Sequence, residues 1–230
     1  MAKRLTLCGV LFLLAALAAF AGDVAQFVNL GFSPDSKYFM FGQYGIREKS
    51  SYPWAETYIV DVAANAFAPR GAHKVSYSQP IEPGVSGMGA LLNALADSIA
   101  EKKQYKIDHL LSGRLLYILV DGAPANDTLE FRDFPTGRTY RIALVQAAVT
   151  QGSDTSSSFH LSIAVEEKGG RTYTLSAGDA LYKRPGVKGY AIKQIVGAPD
   201  GSSLVFVIQK EEKDASGSNV RFMVETVRVK

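Results

Sequence analysis

Thiols are almost missing from this sequence. The single cysteine among 230 residues, Cys8, sits near the amino terminus, ahead of most of an apolar run. If that segment is removed, no thiol remains, and disulfides, thiolate metal sites and a cysteine nucleophile are all excluded. Histidine is scarce as well. His73, His109 and His160 stand far apart, no two share ligand spacing and no H-E-x-x-H occurs, so the local sequence encodes no zinc site. Charge of one sign is also in short supply. The 25 Lys and Arg against 22 Asp and Glu give a net charge of +3, and two of the cations, Lys3 and Arg4, precede the apolar run. The remainder lies within about one charge of neutral, which removes the electrostatic footing for a nucleic-acid partner.

What the amino terminus does have is an export signal. Lys3 and Arg4 form a basic start, Leu5 to Phe20 form an apolar stretch rich in small residues, and Ala19-Phe20-Ala21 places small side chains where a signal peptidase reads them. We expect cleavage after Ala21, with residues 22–230 secreted or periplasmic and no stable membrane span after cleavage. An uncleaved anchor is the competing reading, but the stretch falls short of the ~20 residues that cross a bilayer. Cys8 precedes most of the run, whereas a lipid-accepting cysteine would follow it, so a lipoprotein is not expected.

Beyond the leader, period-two runs dominate. Gln26 to Phe32 and Lys37 to Tyr44 flank the turn Ser33-Pro34-Asp35-Ser36, where proline presets φ and aspartate bonds the backbone two residues on. In Glu56 to Val62, Tyr58, Val60 and Val62 are the larger set and mark the expected buried face. The period then changes. Met88, Leu91, Leu92, Leu95 and Ile99 make the stripe of an amphipathic helix capped by Ser86, and a second helical turn is expected from Asp108 to Gly113. Leu115 to Val120 reads as a strand buried on both faces. Thr128 to Phe134, Arg138 to Val149, Phe159 to Val165, Arg171 to Leu175, Ala191 to Gly197, Ser203 to Gln209 and Val220 to Val229 continue the pattern, with Gln151 to Ser158 as a polar connection. The fold class is therefore mainly β, a β-rich α+β chain of about ten mostly antiparallel strands in a sandwich or partial-propeller-like arrangement. A helical insertion spans residues 87–113, and no linker divides the single exported domain.

Two resemblances follow from particular phrases. Gly31-Phe32-Ser33-Pro34-Asp35-Ser36-Lys37-Tyr38-Phe39-Met40-Phe41 with Tyr58-Ile59-Val60-Asp61-Val62 resembles the strand-turn-strand signature of blades in TolB-like propellers, and Ala198-Pro199-Asp200-Gly201-Ser202-Ser203-Leu204-Val205-Phe206 looks like a degenerate second copy. A closed propeller needs at least about four blades, so the motif stands as a local hairpin type. The apolar leader, Gly31-Phe32-Ser33-Pro34-Asp35, Phe41-Gly42-Gln43-Tyr44-Gly45, the Pro53-Trp54-Ala55-Glu56 step, the helical middle and a terminal Arg221-Phe222 strand together resemble a bacterial family of predicted secreted proteins of unknown function. That likeness implies export and one β-rich domain, and it brings no chemistry.

Catalytic signatures do not assemble locally. In Gly84-Val85-Ser86-Gly87-Met88-Gly89 the position two after the serine is Met88, so G-x-S-x-G fails, and no dinucleotide or P-loop fingerprint is present. The cluster reads as a flexible helix entry with Ser86 as cap, the alternative being an anion on the amide groups of this helix start. Asp35 and Asp200 are explained by turn chemistry. A ligand patch is expected from two places. Tyr52 and Trp54 flank Pro53 in a loop bracketed by Glu48 and Glu56, and Lys183, Arg184, Lys188 and Lys193 are interleaved with Tyr182 and Tyr190. The bland reading of the second group is a solvated loop. No cofactor is expected. The sequence points to a non-enzymatic binding or structural module with an envelope protein or an anionic envelope polymer as partner. The alternative is an envelope-polymer hydrolase, which needs at least two of His73, Asp61, His109, Asp121 and Asp35 in one pocket.

Overall fold

The computed structural model describes residues 23–152, 154–214 and 217–229. The leader, Cys8 and the expected cleavage point after Ala21 lie outside them. The first sheet is a meander of β1 (Gln26–Phe32), β2 (Tyr38–Ile46), β3 (Pro53–Asp61) and β4 (Ala66–Ser76), each antiparallel to the next. Two helices follow, α1 (Met88–Asp97) and α2 (Ile99–Gln104). After β5 (Arg114–Ile118), a second meander comprises β6 (Thr128–Asp133), β7 (Arg138–Gln151), β8 (Asp154–Glu166) and β9 (Thr172–Pro185). The last sheet contains β10 (Val187–Gly197), β11 (Ser203–Asp214) and β12 (Gly217–Arg228), with β5 added at its edge in the order β12-β11-β10-β5. The chain is thus mainly β, with twelve strands and two short helices among the described residues.

That last sheet is the middle layer. Successive strand residues point to opposite faces, and β11 is apolar on both. Leu204, Phe206 and Ile208 pack with Phe159, Leu161 and Ile163 of the second meander, while Val205 and Val207 pack with Phe32, Phe39 and Phe41 or Trp54 of the first. The helices cover the outer face of the first sheet, where Leu91, Ala90 and Ala94 lie on Ala55, and Tyr105 and Ile107 lie on Leu30, Met40 and Ile59. The order of layers is helices, first sheet, central sheet, second meander.

Turn chemistry works as the sequence indicates. The Asp35 Oδ1 accepts the Ser33 hydroxyl at 2.7 Å and the Lys37 amide at 3.2 Å, and the Asp200 Oδ1 accepts the Ser202 amide at 2.9 Å. The two similar phrases form equivalent hairpins, β1 to β2 and β10 to β11.

Several expectations are corrected. Both faces of β3 are buried, because Thr57 and Ile59 meet the helical layer while Tyr58 and Val60 meet the central sheet. Leu115 and Ile118 are exposed, since β5 is an edge strand rather than an inner one. The second helix is Ile99–Gln104; the segment from Asp108 to Gly113 is instead an irregular return, with the Asp108 amide on the Phe32 carbonyl at 2.9 Å. Asp154 to Ser158 pair with Ala147 to Gln151 at the end of the β7–β8 hairpin rather than forming a loop. His160, expected to be solvated, is half-buried on the inner strand β8, paired with Gly178 of β9.

A buried carboxylate joins all three sheets. Glu225 of β12 accepts the Gly178 amide of β9 at 3.1 Å and the Asn65 side-chain amide from the β3–β4 turn at 2.5 Å. Asn65, at φ 49°, in turn accepts the Thr226 amide at 2.7 Å.

Candidate binding site

Helix α1 lies close on its sheet because of glycines. A Cβ on Gly42 would stand 2.7 Å from the Leu91 Cδ1, and one on Gly87 would stand 2.9 Å from the Gly45 carbonyl oxygen. The helix start is therefore pinned to β2. Gly87 occupies the cap position, and the Ser86 hydroxyl, one residue earlier than a usual cap, accepts the Met88 amide at 3.2 Å. The polypeptide between β4 and α1 loops away from this contact, tied by Tyr77 N–H to the Pro53 carbonyl and Ile81 N–H to the Ser51 carbonyl, both at 3.1 Å.

Between that loop and the helix opens a cleft of about 510 Å³. Pro53, Pro80, Ile81, Val85, Ala90 and Leu92 supply its apolar wall. Tyr77, Gln79, Ser86 and Asn93 supply polar groups, the Asn93 amide donating to the Tyr77 hydroxyl at 2.5 Å. No Asp, Glu, Lys, Arg or His lines it. The wall continues outward. Of the expected apolar stripe only Leu91 is fully buried and Leu95 is half-buried; Met88 (46% exposed), Leu92 (60%) and Ile99 (48%) are exposed, and of these Leu92 lines the cleft, with Met88 one turn before it on the helix. Small side chains explain the rotation of the helix. Ala90 and Ala94 let it approach β3 more closely than a Leu-lined face allows.

Two further clefts differ in character. One of about 490 Å³ lies between the start of β1 and the central sheet, with the Asp121 carboxylate on the Lys193 ammonium at 2.5 Å at its rim. The other, about 430 Å³, is an open trough on the second meander, lined by Glu130 and Arg141, which pair at 3.3 Å.

The expected patch residues are not gathered in one place. Pro53 lines the apolar cleft. Its neighbour Tyr52 is half-buried, and Trp54 turns to the opposite face, into the core, where the Arg221 guanidinium stacks 4.3 Å from its ring centre. Lys183 is exposed on β9 in another sheet. Arg184 is wrapped by the rings of Tyr182, Phe159 and Tyr190 at 4.9, 5.3 and 5.9 Å, and Lys188 bonds Glu211 at 3.0 Å and also the Ser218 hydroxyl.

Of the five groups from which a hydrolase would need at least two in one pocket, only Asp121 lines any of these clefts. His73 faces Glu101 at 3.3 Å on the helical side, and His109 donates from Nδ1 to the Leu30 carbonyl at 2.6 Å. Asp61 and Asp35 are held by their own turns. Among the described residues no three His, Asp or Glu side chains come close enough to hold a metal ion.

Sequence reading missed a closely bonded polar site around Glu56. Glu56 accepts from Gln43 at 2.8 Å and from the Tyr58 hydroxyl at 2.7 Å, and pairs with Lys74 at 3.0 Å. Burial pushes the Glu56 carboxyl up, but these partners outweigh it and hold it below its usual range. Burial, and then the Glu56 charge and hydrogen bond, push the Tyr58 phenol up to about 12. The only sequence signal was the alternation of Glu56 with Tyr58, because Gln43 and Lys74 arrive by strand register.

A model of the family described as predicted secreted protein (DUF2259) matches residues 40–228. The chain belongs to this family. The matched span starts inside β2 and ends with β12, so the DUF2259 match takes in the helices, the apolar cleft and nearly all of the three sheets. No curated protein and no solved structure matches the chain. No described helix is long and apolar enough to cross a membrane.

Proposed function

We propose that this chain leaves the cytoplasm on a leader cleaved after Ala21 and serves in the cell envelope as a non-enzymatic binding module. Its cleft under α1 takes up an uncharged, mainly apolar segment of an envelope component. One observation carries the reading: a 510 Å³ cleft, with an exposed apolar shoulder of Met88 and Leu92, contains no ionisable acid or base of the Asp, Glu, His, Lys or Arg kind. General acid–base catalysis draws chiefly on such groups, and the Ser86 hydroxyl, a nucleophile by type, has no such base beside it in the cleft lining. Binding of an apolar group needs only the wall, with Asn93, Gln79 and Ser86 to orient a hydrogen-bonding end. The volume suits a ligand or side-chain cluster of ordinary pocket size.

Titration with the neutral fluorophore N-phenylnaphthylamine tests this. Saturable enhancement is expected, weakened at least about tenfold by Leu92→Asp, since burying an unpaired carboxylate against the ligand is costly. Leu181→Asp, at an exposed site on another sheet, should leave it unchanged. Equal binding by all three proteins, or none by the parent, overturns the reading. Mass spectrometry of the exported protein should find Gly22 as its first residue.

A further inference from the structure

The outer edge of β7 is open and unguarded. Strand β6 pairs with β7 only as far as Thr128 opposite Ala143, and the last contact on that side is the Leu144 amide on the Asp127 carbonyl at 2.7 Å. Strand β7 then continues to Gln151, bonded on its other side to β8 throughout, with the closing pair Gln151 and Asp154. Backbone groups along an antiparallel strand point alternately to the two sides. Because the Leu144 N–H points toward β6, the N–H and C=O of Gln146, Ala148 and Thr150 point along the same open side, where no strand of the described residues meets them.

Val145 to Gln151 reads Val-Gln-Ala-Ala-Val-Thr-Gln, exposed at every position and without a charge, proline or glycine. Folded chains normally blunt such an edge, and several other strands among the described residues do so. Strand β4 carries Pro69 and Arg70 and an irregular register, and β9 bulges by residues 180–183 opposite Ser158. Strand β1 is kinked at Gly31 and met by Asp108 and Leu111, while β6 carries Glu130 and Arg132. The uncovered part of β10 is capped by the Gln146 side chain, which accepts from the Tyr190 amide at 2.9 Å and donates to its carbonyl at 3.2 Å.

We infer that the β7 edge is the pairing surface for a second copy of this chain, joined antiparallel about a two-fold axis at Ala148. Centred there, Gln146 meets Thr150 of the other copy and Ala148 meets Ala148, each giving one donor and one acceptor. Ala147 falls opposite Val149, a small residue against a β-branched one, in the closely spaced type of pair. No like charges meet across the axis, since the stretch has none. The lack of charge and of side-chain pockets also disfavours a foreign peptide, which such an edge has little means of selecting. The second meanders of the two copies then form one continuous sheet.

Sedimentation of the mature chain over about 1 to 200 µM should show a monomer–dimer equilibrium, as expected of a modest interface. Ala148→Pro removes only an outward N–H and should move the midpoint at least about tenfold higher. Ala148→Cys adds the sole thiol of the mature chain on the axis, where the Cα atoms of a paired strand lie about 5.5 Å apart, within disulfide reach. It should oxidise to a covalent dimer at least about tenfold faster than Leu181→Cys. A monomer at all concentrations, or equal cross-linking of the two cysteine variants, overturns the inference.

Discussion

Replacing Glu225 with alanine should loosen the joint between all three sheets at once. The side chain is 6% exposed and accepts two bonds, from the Gly178 amide and from Asn65. A hydrogen bond to a charged group contributes about 1.5–3 kcal/mol net, and a donor left buried without a partner costs about 1–3 kcal/mol. Against this, the variant no longer holds a carboxylate away from water, which returns part of the loss. The balance is a destabilisation of about 3 kcal/mol, equivalent to about 6–12 °C in Tm for a chain of this size. Glu225→Gln retains one carbonyl acceptor and should lose about half as much. Urea unfolding of the mature protein measures both. In a double-mutant cycle, Glu225→Ala with Asn65→Ala should show coupling of about 1 kcal/mol. A loss below about 0.5 kcal/mol for Glu225→Ala, the range of ordinary surface changes, would refute the idea that this carboxylate fastens the layers.

Gly31 has φ 99°, and a Cβ there would stand 2.2 Å from the Asp108 carbonyl oxygen, so Gly31→Ala should cost at least about 3 kcal/mol by thermal unfolding. Raising the Tyr58 phenol from 10.0 to about 12 favours the neutral form in the fold. Its contribution, about 2–3 kcal/mol, is intact below pH 10 and fades as the pH climbs toward 12; Tyr58→Phe should flatten that alkaline loss in urea titrations. Glu56 has the opposite sign. Its lowered value means stability that is present above its ordinary value of 4.5 and lost in more acid solution, and Glu56→Gln should remove that acid slope.

Much of the layering was legible because turns and periods are local. Ser33-Pro34-Asp35-Ser36 and Pro199-Asp200-Gly201 announced two hairpins, and the clean alternation of Phe159, Leu161, Ile163 and Val165 gave the buried face of β8 correctly. Strand β4 escaped notice, since Pro69, Arg70 and Gly71 interrupt its alternation, as an edge strand tolerates. The helix was legible but its buried face was not. Leucines suggested one side, while Ala90 and Ala94 with Gly42 set the actual contact, and a close approach leaves no hydrophobic signal in a sequence. The cleft is hidden in the sequence for the same reason, because Leu92 lines it and Met88 is exposed one turn away rather than in the core. Trp54 is compatible by sequence with a loop patch or with the core, and the glycine that makes room for it in the core, Gly45, lies across the strand pair.

The slab on which both outer layers close is drawn from residues 114–118 and 187–228, mostly the tail of the chain. On the export route proposed above, a chain threading amino end first presents Phe32, Phe39 and Phe41, and later Phe159, Leu161 and Ile163, before their cover has emerged. Transit therefore exposes two adhesive faces in succession, and a chain truncated ahead of Val187 becomes prey for proteases and holding chaperones instead of a half-sized working unit.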